Sequence, residues 1–110
     1  MTFNEYQRKS AQFIDDPFKG GQDAGIMYAG LVLTEESGEV AGKIKKYIRG
    51  DMTRAELREA IKFELGDVLW AISELSNQCL LNLEDIAEAN YNKLSDRQRR
   101  GVIGGSGDNR

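Results

Sequence analysis

A chain of 110 residues has room for one modest hydrophobic core and not for two. Its formal net charge of -3 gives no electrostatic grounds for a nucleic-acid or membrane-surface partner. The absence of histidine excludes imidazole bases, Ser-His and Cys-His nucleophile systems and His-rich zinc sites, and the lone Cys79 excludes an intramolecular disulfide. The chain shows neither a basic-then-apolar leader pattern nor an apolar run of membrane-spanning length, so a cytoplasmic location is the expectation.

Thr2 and Glu5 have the spacing of a capping box, which predicts a first, short helix running to about Phe13 or Ile14. Phe3, Tyr6 and Phe13 are its expected core residues. Asp15 to Gly21 reads as a connection, with Pro17 and the Gly20-Gly21 pair as breakers. A second helix is predicted from about Asp23 to Arg49, closed by Gly50 and carrying Lys43, Lys45, Lys46 and Arg49 toward the end its dipole favours. It would be nearly 40 Å long at about 1.5 Å per residue, more than so small a chain covers by itself. Its surplus apolar surface therefore calls for another subunit.

Thr53 and Glu56 repeat the capping spacing and open a third helix, expected to reach Cys79 or Leu80. Trp70 on this helix reads as a core or interface residue, and Cys79 as a small buried hydrophobe. Asn82, followed by Glu84 and Asp85, has the character of a cap with an acidic first turn. The fourth helix it opens should end near Arg100, with Gly101 stopping it. No stretch has strand character, so the class is all-α. One domain over residues 1–100 is expected, followed by a glycine-rich tail over 101–110 for which disorder is the default.

The unusual feature lies inside the second and third helices. At about 100° per residue, Glu36 and Glu39 share a face with Ala29, Val32, Val40 and Tyr47. Glu64 and Asp67 likewise share one with Leu57, Ile61, Val68, Ala71 and Leu75. Two acidic pairs at i, i+3 thus point toward the sides of their helices that should pack. Unpartnered carboxylates taken out of water cost several kcal/mol, so something positive is required among them. Either acidic pair alone reads most simply as a solvated face bridged by Lys43, Lys45 or Lys62. Two matching pairs within apolar stripes favour an oxygen-only cage for a hard divalent cation, Mg²⁺ by preference and Mn²⁺ as a substitute. On the fourth helix Asn90, Lys93 and Arg97 project to the same side as Leu83, Ile86, Ala87 and Leu94, a placement that suits phosphate or ribose contacts.

Taken together, Glu35-Glu36-x-x-Glu39, Glu64-x-x-Asp67 and Asn90-x-x-Lys93-x-x-x-Arg97 resemble the MazG-like all-α nucleoside triphosphate pyrophosphohydrolases over about residues 25–100. The resemblance implies a bundle of one short and three long helices that assembles as a homodimer or a dimer of dimers, with sites near subunit contacts. It implies Mg²⁺-dependent hydrolysis of a (deoxy)nucleoside triphosphate to the monophosphate and pyrophosphate, in a house-cleaning or nucleotide-pool role. By position, Glu36, Glu39, Glu64 and Asp67 would be metal ligands, and Glu35 a second-metal ligand or the base that takes a proton from the attacking water. Lys93 and Arg97, with Lys43, would steady the departing pyrophosphate, and Asn90 would contact substrate. The readings set against it are a phosphoribosyl-ATP pyrophosphohydrolase and a non-catalytic helical dimer whose acidic cluster binds metal. The Asp108-Asn109-Arg110 end of the tail offers polar groups able to close over a nucleotide.

Overall fold

The computed structural model describes residues 1–21 and 23–110, and among these every regular element is helical. Helix α1 spans Phe3–Ser10 and continues into a 3₁₀ turn, Ala11–Phe13; a second 3₁₀ segment, Asp16–Lys19, lies in the expected connection. Helices α2 (Ala24–Ile48) and α3 (Arg54–Gln78) have 25 residues each, and α4 spans Leu83–Arg99. The caps read from sequence are in place. Thr2 Oγ1 accepts from the Glu5 N–H at 3.1 Å while Thr2 N–H donates to Glu5 at 2.9 Å. Thr53 accepts from Glu56 N–H and Asn82 from Glu84 N–H.

Three helices end in the same way. Asp51 N–H reaches back to Lys46 C=O, Leu81 to Ser76 and Val102 to Arg97, each bond closing over a residue in the left-handed region. At α2 and α4 that residue is glycine, Gly50 and Gly101; at α3 it is Leu80, with φ 57° and a fully exposed side chain. The sequence places the end of α3 at Cys79 or Leu80, close to the observed Gln78, but with no glycine there it does not announce the left-handed turn.

The short link after Gly50 folds α2 and α3 into an antiparallel hairpin, the main contact of the fold. Ala29 and Ala71, both fully buried, and Gly25 allow close approach; a Cβ on Gly25 would meet Gln78 Oε1 at 2.0 Å. Phe18 closes one end of the hairpin, edge-on to Tyr28 at 4.8 Å and to Trp70 at 5.6 Å. The expected core face of α1 needs correction. Phe3 and Phe13 are exposed, and the buried residues of α1 are Gln7 and Ser10. Gln7 donates to Asn77 Oδ1 and Leu81 C=O, both at 2.8 Å, and accepts from Leu83 N–H at 2.7 Å. Ser10 meets Ser73, and its carbonyl accepts from the Trp70 indole at 3.1 Å. An eight-residue helix crossing α3 on these bonds presents polar groups to it and leaves Phe3 outside, while Tyr6 is half-buried on the expected side. Cys79 is likewise exposed rather than buried, because it caps α3 at the mouth of an open apolar cleft lined by Leu33, Leu75 and Ile86.

Helix α4 rests on α1 and does not lie along α2 or α3. The result is open: the radius of gyration is 16.7 Å, against about 13 Å for a compact chain of this size. Met27, Leu31, Ile48, Phe63 and Tyr91 are all left exposed. No helix among the described residues is long and apolar enough to cross a membrane.

Leu80→Gly removes the left-handed penalty of about 1 kcal/mol without emptying any core site, so the variant should melt a few degrees higher by calorimetry.

Candidate metal and phosphate site

Ala29 and Ala71 are fully buried in the α2–α3 hairpin, and Glu36 and Glu64 each lie two helical turns from them toward the hairpin link. In an antiparallel pair that common offset brings the two glutamates to the same height. Asp67 stands one turn from Glu64 on the same face. One carboxylate oxygen from each of Glu36, Glu64 and Asp67 lies within 4.8 Å of the others. Lys43, two turns beyond Glu36, sends its ammonium to within 3.5 Å of Glu64 Oε1. The bridging role weighed for Lys43 is thus present, but one cation faces three acids.

The electrostatic consequence appears at Glu36. Burial pushes its carboxyl above the usual range, and the charges of Asp67, Glu35, Glu64 and Glu39 push it further the same way. Glu35 and Glu39 are exposed and stand outside the three-oxygen group, yet near enough for their charges to act on Glu36. The Tyr6 phenol is raised as well, by burial first and then by Asp67, so α1 also brings a side chain within electrostatic reach. Nothing in the sequence marks Tyr6 for this position, since periodicity within α1 carries no information on what α1 crosses.

The cluster is less enclosed than the packing stripes imply. Glu36 and Glu64 are half-buried and Asp67 is exposed. Helix α4, the element that would roof them, is held away by its seat on α1. The α4 residues therefore form a separate set. Asn90 and Lys93 line a shallow groove with Ile86 and Ala89, while Arg97 is buried against the glycine-rich segment and donates to Asp108 C=O at 2.7 Å.

The donor set suits a hard divalent ion: carboxylate oxygens only, from two rigid helices, with the third, exposed side open to water or ligand oxygens. The same geometry fixes a pH dependence. A carboxyl whose pKa is raised on folding contributes stability that is complete below its ordinary value of 4.5 and is lost as pH rises through the folded value. Without divalent metal, Glu36→Gln should therefore melt higher than the parent at pH 7, the difference closing below about pH 4.5. Added Mg²⁺ should raise the melting temperature of the parent and leave the variant nearly unmoved, as followed by scanning calorimetry.

Comparison with known proteins accords with this geometry. The family model described as MazG nucleotide pyrophosphohydrolase domain matches residues 28–102, which include the carboxylates and all of α4. The chain is 45% identical over its whole length to the full Gene 37 protein of Mycobacterium phage L5. It is 33% identical to the Uncharacterized protein YvdC of Bacillus subtilis (strain 168), over 59% of this chain and 68% of that one. No solved structure gives a significant match.

Proposed function

The chain belongs to the MazG nucleotide pyrophosphohydrolase family, and from that premise we propose that it hydrolyses a (deoxy)nucleoside triphosphate to the monophosphate and pyrophosphate, clearing surplus or unwanted nucleotides. The observation that carries this reading is the meeting of Glu36, Glu64 and Asp67 oxygens within 4.8 Å, with Lys43 as the one ion-pair partner the cluster has among the described residues. These three side chains would hold Mg²⁺, or Mn²⁺ in its place, and Glu39, one turn beyond Glu36, would complete the set from its exposed position. The ion supplies charge neutralisation at the triphosphate and a more acidic water.

The rest falls to the chain's own groups. Glu35, exposed and near enough for its charge to act on Glu36, would accept the proton of the water that attacks the α-phosphorus. Lys43, now paired with Glu64, would turn to a phosphate oxygen as charge accumulates there. Lys93, Arg97 and Asn90 would bind the leaving pyrophosphate and the sugar. Because α4 does not lie along α2 and α3 in its own chain, these residues reach the carboxylates from the α4 of a second copy. The exposed Met27 and Leu31, one turn apart on α2, supply apolar surface for that assembly, a homodimer or dimer of dimers.

Release of pyrophosphate from a panel of canonical and modified triphosphates, with and without Mg²⁺, tests the activity. Asp67→Asn and Glu64→Gln should each lower kcat by about a hundredfold or more while circular dichroism stays that of the parent. Full turnover in a folded variant would overturn the reading. Leu31→Arg should convert the assembly to monomer in light scattering and lose activity with it. A fully active monomer would remove the second copy from the site.

A further inference from the structure

The segment 101–110 turns back on the end of α4 and is fastened by arginines. Arg110 donates to the carbonyls of Ile103 at 3.0 Å, Gly104 at 3.1 Å and Gly107 at 2.6 Å, closing a small loop. Gly105 and Gly107, at φ 97° and 86°, permit the turn. Arg100 donates in turn to the Arg110 carbonyl at 2.6 Å. This fastening delivers one residue, Asp108, to the two cations of α4. Its carbonyl accepts from Arg97 Nη2 at 2.7 Å, and its carboxylate Oδ1 stands 3.7 Å from Arg97 Nη2 and 4.0 Å from Lys93 Nζ.

Two oxygens of one residue thus rest on a guanidinium and an ammonium one turn apart, as two oxygens of a phosphate group would. The two sides of this contact differ in character. The Arg97 side chain is only 6% exposed, so its charge is committed to the site, whereas the Asp108 side chain is 92% exposed. A carboxylate in bulk water, beyond the 2.7–2.9 Å of a tight charged hydrogen bond, holds its partners weakly. A more highly charged oxyanion competes with it on favourable terms.

We propose that the segment 101–110 is a displaceable strap: Asp108 occupies the oxyanion seat formed by Lys93 and Arg97, and the phosphate groups of a ligand remove it. The chain carries its own weak competitor for a pyrophosphate-bearing ligand, and binding releases the strap. This rests on the reading of Lys93 and Arg97 as phosphate-binding groups given above.

The test uses the full chain and inorganic pyrophosphate alone, by calorimetric titration at low ionic strength without divalent metal. Asp108→Asn keeps the carbonyl contact and removes only the charge, so pyrophosphate should bind about two- to fivefold more tightly, the range an exposed ion pair is worth. The gain should shrink as salt is added. Arg110→Ala, which opens the loop, should give a similar gain. Lys93→Gln, at a half-exposed position that leaves the fold alone, should weaken binding. A fluorophore on Ser106→Cys in a Cys79→Ser background should lose anisotropy as pyrophosphate is added. If Asp108→Asn binds pyrophosphate no better than the parent, or the probe on residue 106 is unmoved, while Lys93→Gln still weakens binding, the strap is overturned and the phosphate reading stands. If Lys93→Gln binds as well as the parent, both fall.

Discussion

Repulsion among Glu36, Glu64 and Asp67 is the constraint from which the rest follows. Two unit charges 4.8 Å apart repel by about 1 kcal/mol in water and by about 3–4 kcal/mol at an effective dielectric near 20. The half-buried glutamates and the exposed aspartate lie between those limits. Lys43 relieves one contact and leaves the others, and the Glu36 carboxyl is pushed up first by its burial and then by the neighbouring carboxylate charges. A fold tuned only for stability would shed this cost with a single substitution, since nothing in the packing of α2 on α3 requires carboxylates at these positions. The hairpin instead holds them on the two longest and most tightly paired helices, where Ala29, Ala71 and Gly25 fix the distance between backbones. That is the arrangement expected when a site must have its geometry set before a ligand arrives.

The location of the cost also explains why the family assignment and the geometry agree. A helix hairpin with small residues at its closest approach brings side chains two turns away to a separation that carboxylates can share. The matched region, residues 28–102, begins one residue before Ala29 and so takes in Ala29, Ala71 and the carboxylates together with α4, leaving only Gly25 outside. The chemistry proposed for the chain needs both parts, and a single copy does not bring them together. On the proposed reading, the open shape and the exposed apolar residues of α2 and α4 would serve a site divided between copies.

What the sequence disclosed, and what it withheld, divides along the line between local and long-range order. Helix limits were legible to within a residue or so for α2, α3 and α4 because caps, acidic first turns and stop glycines act locally. The convergence of Glu36 with Glu64 and Asp67 was legible because a short link forces antiparallel pairing, which turns two periodicities into one register. The face of α1 was not legible, because Gln7 and Ser10 are buried by specific hydrogen bonds and not by apolar character. Nor was the openness of the cluster, which depends on where α4 goes. The left-handed turn at Leu80 was not legible although the end of α3 was: its six-residue closing bond forms without the glycine that usually announces it. Order in the segment 101–110 depends on Arg97, Arg100 and Arg110 reaching carbonyls across the turn, a pattern that composition alone reads as disorder.

The direction of α4 deserves a physical account, since the site depends on it. An apolar seat is non-directional and favours whatever pose covers the most surface. Had α4 been joined to the hairpin mainly by such contacts, it would have been drawn down along α2 and α3, covering their exposed residues and closing off the carboxylates. Its attachment is instead polar. Gln7 satisfies the first N–H of α4 at Leu83 with one end of its amide and grips Asn77 and the Leu81 carbonyl with the other. Hydrogen bonds are directional, and three from one buried amide set the angle of the α3–α4 corner while burying little area. Leu83 then seals the corner as one of the few buried apolar side chains. The chain thus joins α4 to the hairpin through a polar corner, and apolar residues of α2 and α4 stay exposed. One glutamine on a helix of eight residues ties together α1, the end of α3 and the start of α4.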